Sequence, residues 1–277
     1  SGIFQAGYPF GYLLAAVVYG LLSETVGWRG MFVIGAVPIF LLPFIWFKVQ
    51  ESPVWLAARE RNESTALMPV LKKNWKLCVY LVVLMAGFNF FSHGTQDLYP
   101  TFLKVQHGFD AHTVSLIAIS YNIASIIGGV FFGSLSEKIG RKKAIIIAAL
   151  LSLPVIPLWA FSGGSWMLGL GAFLMQFMVQ GAWGVVPTYL TELVPANTRA
   201  VLPGFVYQLG NLIASVNATL QAYIAESHGH NYGLAMAMVA GTVAILISVL
   251  VAFGRDTRGK AIAGTINNQS TDHRAKV

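Results

Sequence analysis

Charged residues are scarce in this sequence: they make up 10% of its 277 residues, whereas 56% of the residues are hydrophobic. A soluble domain carries about 25% charged residues, so this composition excludes an ordinary water-soluble globular protein. Cysteine is nearly absent as well. With Cys78 as the single example, an intrachain disulfide is excluded and no cysteine pair exists for redox chemistry.

The sequence patterns that accompany catalysis are also missing. The sequence contains no nucleophile beside a general base, no glycine-rich loop that could hold a phosphate, and no cluster of metal-ligating residues. We therefore predict that the protein is not an enzyme and that it has neither a metal site nor a cofactor.

Long apolar segments are what the sequence has in abundance. Blocks of about 18 or more apolar residues are long enough to cross a bilayer. Eight such blocks are present, at residues 4–22, 30–47, 77–99, 113–135, 143–161, 166–190, 201–225 and 232–253. The sequence thus predicts an all-α integral membrane protein, a bundle of eight transmembrane helices that sits in the lipid bilayer.

The basic residues are distributed unevenly between the loops. If residue 1 faces the cytoplasm, sixteen of the 18 Lys and Arg residues lie in cytoplasmic segments, and two, Arg29 and Lys104, lie in external ones. This bias follows the positive-inside rule. It predicts a plasma-membrane protein (inner membrane in a bacterium) with both chain ends in the cytoplasm. It also accounts for the net charge of +7 without nucleic acid as a partner.

The polar stretches divide the chain into regions. A basic segment at 48–76 separates two spans in 1–47 from six spans in 77–253, and the tail at 254–277 is rich in polar residues. Carriers are often built from two repeated halves. We therefore predict the last two spans of an N-terminal half, a central cytoplasmic loop, a complete C-terminal half, and a disordered cytoplasmic tail. Because Ser1 stands directly before a span, the simplest interpretation is that earlier spans are absent.

Glycine pairs inside the spans predict close helix contacts. Gly7 and Gly11, and likewise Gly129 and Gly133, are four residues apart. This small-residue spacing lets two helices approach closely in a membrane.

The third span carries a polar face. Asn89, Ser92, His93, Gln96 and Asp97 fall within an arc of roughly 140° on a helix. His93 and Asp97 are four residues apart, so their side chains can meet. Ionisable groups inside a membrane usually mark a substrate path or a proton relay. The alternative is a polar pair that holds two helices together.

The seventh span carries a second polar stripe. Gln208, Asn211, Ser215 and Thr219 share an arc of about 80°. None of them is ionisable, so they are suited to hydrogen-bond a polar solute or a file of water. Hydrogen bonding between helices is the competing interpretation.

Two cytoplasmic segments are candidates for a gate. The charged turn at Gly133–Lys142 joins two spans, and Pro187–Arg199 closes another. Ion pairs between them could hold the cytoplasmic side closed, and an exposed pair contributes only about 0–1 kcal/mol, which suits a latch that must open. The alternative is that they merely anchor helix ends. The residues assigned to the gate are Gly133, Glu137, Lys138, Gly140, Arg141, Lys142, Glu192 and Arg199.

These segments resemble known signatures. Gly133–Lys142 is similar to the Gly-x-x-x-(Asp/Glu)-(Arg/Lys)-x-Gly-(Arg/Lys)-(Arg/Lys) loop of the major facilitator superfamily. The motif Asn89-x-x-Ser92-His93-x-Thr95-Gln96-Asp97-x-x-x-Thr101 resembles at every position the signature of the Jen-type monocarboxylate permeases. These permeases import lactate and pyruvate with a proton, and the wider group includes sialate:proton symporters.

The resemblance implies a fold and roles for residues. It implies a major-facilitator-type bundle in which the eight spans are numbers five to twelve of twelve, from a protein expected to be a monomer when full length. It assigns proton coupling and substrate handling to His93 and Asp97, and substrate recognition to Gln208 and Asn211. We expect the other polar side chains of the motif, Asn89, Ser92, Thr95, Gln96 and Thr101, to bind the substrate with them.

The expected function is therefore import of a small carboxylate, of the lactate or pyruvate type, with a proton. Moving one negative charge into a negative interior costs about 2.3 kcal/mol per 100 mV, and a co-transported proton removes that cost. A symporter for sialate, for another organic acid or for a sugar is an alternative. So is a sensor that binds a carboxylate without moving it, and the chain by itself could be inactive in transport.

Overall fold

The computed structural model describes residues 7–48, 72–194, 198–199 and 201–254, and every regular element in these ranges is helical. The predicted disordered tail lies outside the described residues except for Gly254, and so does most of the predicted central loop. The helices are α1 Gly7–Gly35, α2 Leu41–Lys48, α3 Trp75–Gln96, α4 Tyr99–Val105, α5 Ala111–Ile139, α6 Arg141–Ser152, α7 Ile156–Phe161, α8 Ser165–Leu193, α9 Leu202–Ala214, α10 Asn217–Ser227 and α11 Tyr232–Phe253.

Each of the eight predicted spans is helical over most of its length. Within the described ranges, six helical stretches are long and apolar enough to cross a membrane. They are Thr25–Lys48, Trp75–Val105, Ala111–Ile139, Arg141–Phe161, Ser165–Leu193 and Tyr232–Phe253. The first predicted span corresponds to the shorter apolar stretch Gly7–Leu22 of α1. The seventh is divided between α9 and α10, because the helix is interrupted at Ser215 and Val216.

Two further spans are interrupted where proline occurs. α3 ends at Gln96 and α4 resumes at Tyr99, with Pro100 in the first turn of α4. A proline has no N–H to donate and is tolerated in the first turn of a helix, where that donor would be unpaired anyway. The same holds for Pro154 and Pro157, which separate α6 from α7. The break after α3 places Asp97 at a helix end, in the middle of a span.

Close backbone contact joins α5 to α8. A Cβ atom on Gly184 would collide with the carbonyl oxygen of Gly129, and one on Gly128 would collide with the carbonyl oxygen of Phe177. The predicted contact at Gly129 is therefore confirmed as part of this crossing. A Cβ on Gly7 or Gly11 would meet no atom of the described residues within 4 Å, so the predicted contact at this pair is absent from the described part of the chain.

The remaining helices pack around this pair. α6, α7 and α11 cover one side, and α3 lies against α8, α9 and α11. A buried aromatic stack at the break between α3 and α4 joins Tyr99 to Trp159, with ring centroids 5.4 Å apart. α1 lies along α5, where Gly20 approaches Ser115. No residue of α2 is buried.

Candidate functional site

The side chains of His93 and Asp97 meet, as their spacing predicts. Nδ1 of His93 lies 3.1 Å from one carboxylate oxygen of Asp97 and 3.3 Å from the other. The two side chains are 27% and 33% exposed, although the apolar residues around them on α3 are buried. The pair is therefore partly exposed and is not sealed between two helices of the described chain.

Two cavities adjoin the pair. The smaller has a volume of about 70 Å³ and is lined by Tyr8, Asn89, Ser92, His93, Gln180, Trp183 and Tyr207. The larger is open, has a volume of about 430 Å³, and is lined by His93, Asp97, Gln208, Asn211, Leu212, Ala214, Ser215 and Ala218. His93 borders both cavities, so a proton or a solute could reach this imidazole from either one.

Only part of the polar stripe on the seventh span borders the same cavity as His93 and Asp97. Gln208 and Asn211 on α9 border the larger cavity together with His93 and Asp97. Ser215 also borders it, and its hydroxyl donates to the carbonyl oxygen of Leu212 at 2.7 Å. Thr219 lies on α10, beyond the interruption, and does not border either cavity. The break in the helix thus ends the stripe that an unbroken helix would have continued.

Asn89 and Ser92 border the smaller cavity. The Asn89 amide nitrogen donates to the carbonyl oxygen of Met85 at 2.9 Å. Ser92 accepts a hydrogen bond from the Gln180 amide nitrogen at 3.3 Å. Their side chains are nearly fully buried, so they shape a closed end of the site.

Three other residues predicted to bind substrate lie away from the pair. Thr95 is buried, donates to the carbonyl oxygen of Phe91 and accepts from the Gln176 amide nitrogen at 3.0 Å. Gln96 is buried, and neither of its amide atoms has a hydrogen-bond partner among the described residues. Thr101, on α4, borders a different cavity. None of the three lines the two cavities at His93, because α3 rotates Thr95 toward α8 and ends before Thr101.

Several lining residues were not predicted from the sequence. Gln180 and Trp183 of α8 and Tyr207 of α9 border the smaller cavity, together with Tyr8 of α1. The Tyr8 hydroxyl lies 3.2 Å from that of Tyr12. The sequence does carry signals for three of them: Gln180 and Trp183 stand in the segment Gln180–Pro187, and Tyr207 directly precedes Gln208, and both segments also resemble the permease group. Tyr8 gives no signal, because an aromatic residue in a span is ordinarily packing.

The two predicted gate segments meet on the predicted cytoplasmic side. Nε of Arg141 lies 3.3 Å from a carboxylate oxygen of Glu192, and Nη1 of Arg141 donates to the Ser136 hydroxyl at 2.7 Å. This ion pair ties the start of α6 to the end of α8. The turn between α5 and α6 depends on Gly140, whose φ of 96° lies in the left-handed region that favours glycine.

The other charged gate residues have different surroundings. The Lys142 ammonium donates to the carbonyl oxygens of Ala252 and Gly254, so it caps the end of α11. Nε of Arg199 donates to the carbonyl oxygen of Thr191 in its own segment. Glu137 and Lys138 are exposed, and Gly133 accepts a hydrogen bond from Ser136 at its carbonyl oxygen. Among the described residues, the ion pair between Arg141 and Glu192 matches the predicted gate, and we call this pair the latch.

Neutralising either partner of this latch should destabilise the bundle. In Arg141→Gln the Glu192 carboxylate, which is only 11% exposed, loses its cation. We therefore expect the free energy of unfolding to fall by about 1–3 kcal/mol. The double variant Arg141→Gln/Glu192→Gln should cost less than the sum of the single variants. Thermal unfolding of the purified protein measures both effects, and Lys143→Gln, which removes an exposed neighbouring charge, is the control. Additive losses would show that the contact contributes nothing.

Comparison with known proteins gives consistent matches. The sequence model described as Major Facilitator Superfamily matches residues 1–112 and 82–269. A Saccharomyces cerevisiae protein named as a carboxylic acid transporter protein homolog is 29% identical, with the match covering 92% of this chain and 47% of that protein. The Escherichia coli sialic acid transporter NanX is 28% identical over 94% of this chain and 64% of its own length.

Other relatives and a solved structure agree with this pattern. The cis,cis-muconate transport protein of Acinetobacter baylyi is 25% identical over 91% of this chain and 62% of its own length. The crystal structure of a D-xylose–proton symporter superposes with a TM-score of 0.67 at 18% identity, over 93% of this chain and 64% of that one; this likeness concerns the fold. The chain spans between about half and two thirds of the length of these relatives.

Proposed function

Since the chain belongs to the major facilitator superfamily of multi-pass membrane transporters, we propose that it handles a small carboxylate and a proton in a symporter that works by alternating access. The observation that carries this proposal is the contact between His93 and Asp97, which opens into two cavities. Three relatives are named as transporters of carboxylic acids, sialic acid and muconate, and they support an organic acid as the substrate class.

The larger cavity is the place for the substrate. A water molecule occupies about 30 Å³ of liquid, so the cavity of about 70 Å³ holds on the order of two waters. The cavity of about 430 Å³ falls in the range of roughly 300–1,000 Å³ typical of small-molecule sites. A carboxylate there lies beside His93 and within reach of the side-chain amides of Gln208 and Asn211, which can donate to its oxygens.

Coupling follows from the charge of the pair. With His93 neutral and Asp97 ionised, the pair carries a negative charge that repels a carboxylate. At about 4 Å and an effective dielectric constant of 20, this repulsion is about 4 kcal/mol, enough to disfavour binding by more than 100-fold. One added proton makes the pair neutral overall and gives the imidazolium as a partner for the anion. Substrate therefore binds to the protonated pair, and the two move together.

The remaining predicted residues have supporting roles. Asn89 and Ser92 close the inner end of the path, and Gln180 orients the Ser92 hydroxyl. Thr95 holds α3 against α8 through Gln176, so its role is in packing. The Arg141–Glu192 pair keeps the cytoplasmic ends of α6 and α8 together in this state.

The proposed carrier lies in the plasma membrane with both chain ends in the cytoplasm, and it acts as a monomer. Its proposed substrate is lactate or pyruvate.

Accumulation in proteoliposomes tests the function. The carrier produced from its complete coding sequence should concentrate labelled lactate when the outside is made more acidic, by up to about tenfold per pH unit for one coupled proton. Unlabelled pyruvate should compete, whereas glucose should not. Stronger competition by sialate than by pyruvate would identify a sialate symporter. Binding of lactate without any accumulation would identify a sensor and contradict the proposal.

A further inference from the structure

A third cavity lies between α1, α4 and α5, on the side that the basic-residue pattern predicts to be external. Its volume is about 370 Å³, and its lining includes Tyr12, Tyr19, Thr101, Lys104, Ser115 and Asn122. It shares no lining residue with the two cavities at His93. Its volume again falls in the range of roughly 300–1,000 Å³ for small-molecule sites.

Lys104 gives this cavity a positive charge. Its side chain extends from the last turn of α4, and its ammonium donates to the Tyr19 hydroxyl on α1. The ammonium also lies 4.7 Å from the centroid of the Tyr19 ring. An ammonium has three N–H donors, so the contact with Tyr19 leaves two for a ligand. Tyr19 thus holds the cation at the cavity wall.

Two buried polar atoms in the same wall have no hydrogen-bond partner in the part of the chain that the structure describes. They are the Ser115 hydroxyl and the Asn122 amide oxygen, of residues that are 4% and 1% exposed. The Asn122 amide nitrogen already donates to the carbonyl oxygen of Ala118 at 2.8 Å, so the free oxygen requires a donor. An unpaired buried polar atom costs roughly 1–3 kcal/mol. These two atoms therefore favour a ligand that supplies both an acceptor and a donor.

We propose that this cavity is an outer binding site for a small hydroxycarboxylate, where the substrate is captured before it reaches His93 and Asp97. Lys104 and the Ser115 hydroxyl donate to the carboxylate, and the Asn122 amide oxygen accepts from the ligand's hydroxyl. The inference rests on the proposed function, of which it supplies the entry step.

Polar groups continue from this outer site to the pair. Tyr12 borders the outer cavity and Tyr8 borders the smaller cavity at His93, and their hydroxyls are 3.2 Å apart. The contact between these two hydroxyls thus joins the walls of the two cavities.

Removing the cation should weaken capture and leave translocation intact. In Lys104→Gln we expect the KM for lactate uptake to rise about tenfold, because a charge-assisted hydrogen bond is lost, with Vmax within about twofold of the unmodified carrier. Lys104→Arg should keep most of the affinity. The matched control is Arg29→Gln, which removes the other predicted external cation, an exposed side chain that does not border the cavity.

A substitution of Asn122 provides an independent test of which ligand the outer site prefers. Lactate has a hydroxyl to donate and pyruvate has none, so Asn122→Leu should raise the KM for lactate by about three- to tenfold and leave that for pyruvate nearly unchanged. Size-exclusion chromatography establishes that each variant is folded. Equilibrium binding of labelled lactate to the purified variants repeats the comparison as Kd, without a need for transport.

The outcomes separate the two proposals. An unchanged KM and Kd in Lys104→Gln, or an equal rise in Arg29→Gln, would overturn the outer site while the unmodified carrier still accumulates lactate. Failure of the proposed function would instead appear in the unmodified carrier, as lactate binding with no accumulation under a pH gradient. An unmodified protein that does not bind lactate at all would overturn both.

Discussion

Replacing Asp97 by Asn should abolish acid-stimulated uptake. The amide keeps the size of the side chain and can still hydrogen-bond Nδ1 of His93, which lies 3.1 Å from the Asp97 carboxylate, but it carries no negative charge. Without that charge the unprotonated pair no longer repels a carboxylate, so the repulsion of about 4 kcal/mol that normally makes substrate binding depend on protonation is lost. We expect accumulation driven by a pH gradient to disappear, a fall of up to about tenfold for a gradient of one pH unit. Uptake of labelled lactate into proteoliposomes, with and without an imposed gradient, measures it.

Asp110→Asn is the matched control for this experiment. Asp110 is an exposed N-cap residue of α5 that accepts hydrogen bonds from the backbone amides of His112 and Thr113. The Thr113 hydroxyl and these amides lower the pKa of the Asp110 carboxyl, so it stays ionised throughout an assay at about pH 5–7 and does not take part in coupling. Asparagine caps helices nearly as well as aspartate, so uptake should be unchanged. Undiminished proton-driven accumulation by Asp97→Asn would remove Asp97 from the coupling mechanism.

A single methyl group at Gly184 should have a large effect on folding. Here α8 touches the backbone of α5: a Cβ atom would lie 2.9 Å from both the carbonyl carbon and Cα of Gly129 and would collide with its carbonyl oxygen. Backbone atoms cannot turn aside as a flexible side chain can, so the two helices must separate. Overpacking costs about 1–3 kcal/mol and sometimes more. We expect Gly184→Ala to lower the yield of folded protein about tenfold and Gly184→Leu to give none, as measured by size-exclusion chromatography after purification.

Gly241→Ala provides the comparison within the same bundle. Gly241 lies in the interior of α11, where an added Cβ would be 3.5 Å from the side-chain tip of Ile156, an ordinary contact. Alanine is about 1 kcal/mol more favourable than glycine inside a helix, so this variant should be as stable as the unmodified protein or more so. Equal losses in the two variants would mean that the α5–α8 contact does not limit stability.

The glycines show which part of the helix packing could not be predicted from the sequence. The spacing of Gly7 and Gly11 satisfies the small-residue pattern as well as that of Gly129 and Gly133, yet the close approach occurs at Gly128, Gly129 and Gly184. A pattern within one helix shows that the helix can be approached closely. It does not show which helix approaches, because that depends on the packing of segments far apart in the chain.

The candidate site could likewise be predicted only in part from the sequence. The contact between His93 and Asp97 could be predicted because residues four apart on one helix meet whatever surrounds them. The residues that complete the site come from other helices: Gln180 from α8, Tyr207 from α9 and Tyr8 from α1. Thr95 belongs to the same motif as His93, but its side chain faces α8 and is used in packing. No periodicity in α3 could indicate which neighbour covers each of its faces.

The amino-acid sequence is sufficient to predict that the chain forms apolar helices of membrane-spanning length, because hydrophobicity and helical periodicity are local properties of each segment. It is also sufficient to predict that one span bears an ionisable pair. The packing of the helices determines that this pair borders open cavities, that Lys104 lines a separate cavity with Ser115 and Asn122, and that Arg141 reaches Glu192. These arrangements depend on how helices pack across long sequence separations, where helix breaks and close backbone contacts set the rotation and depth of each side chain.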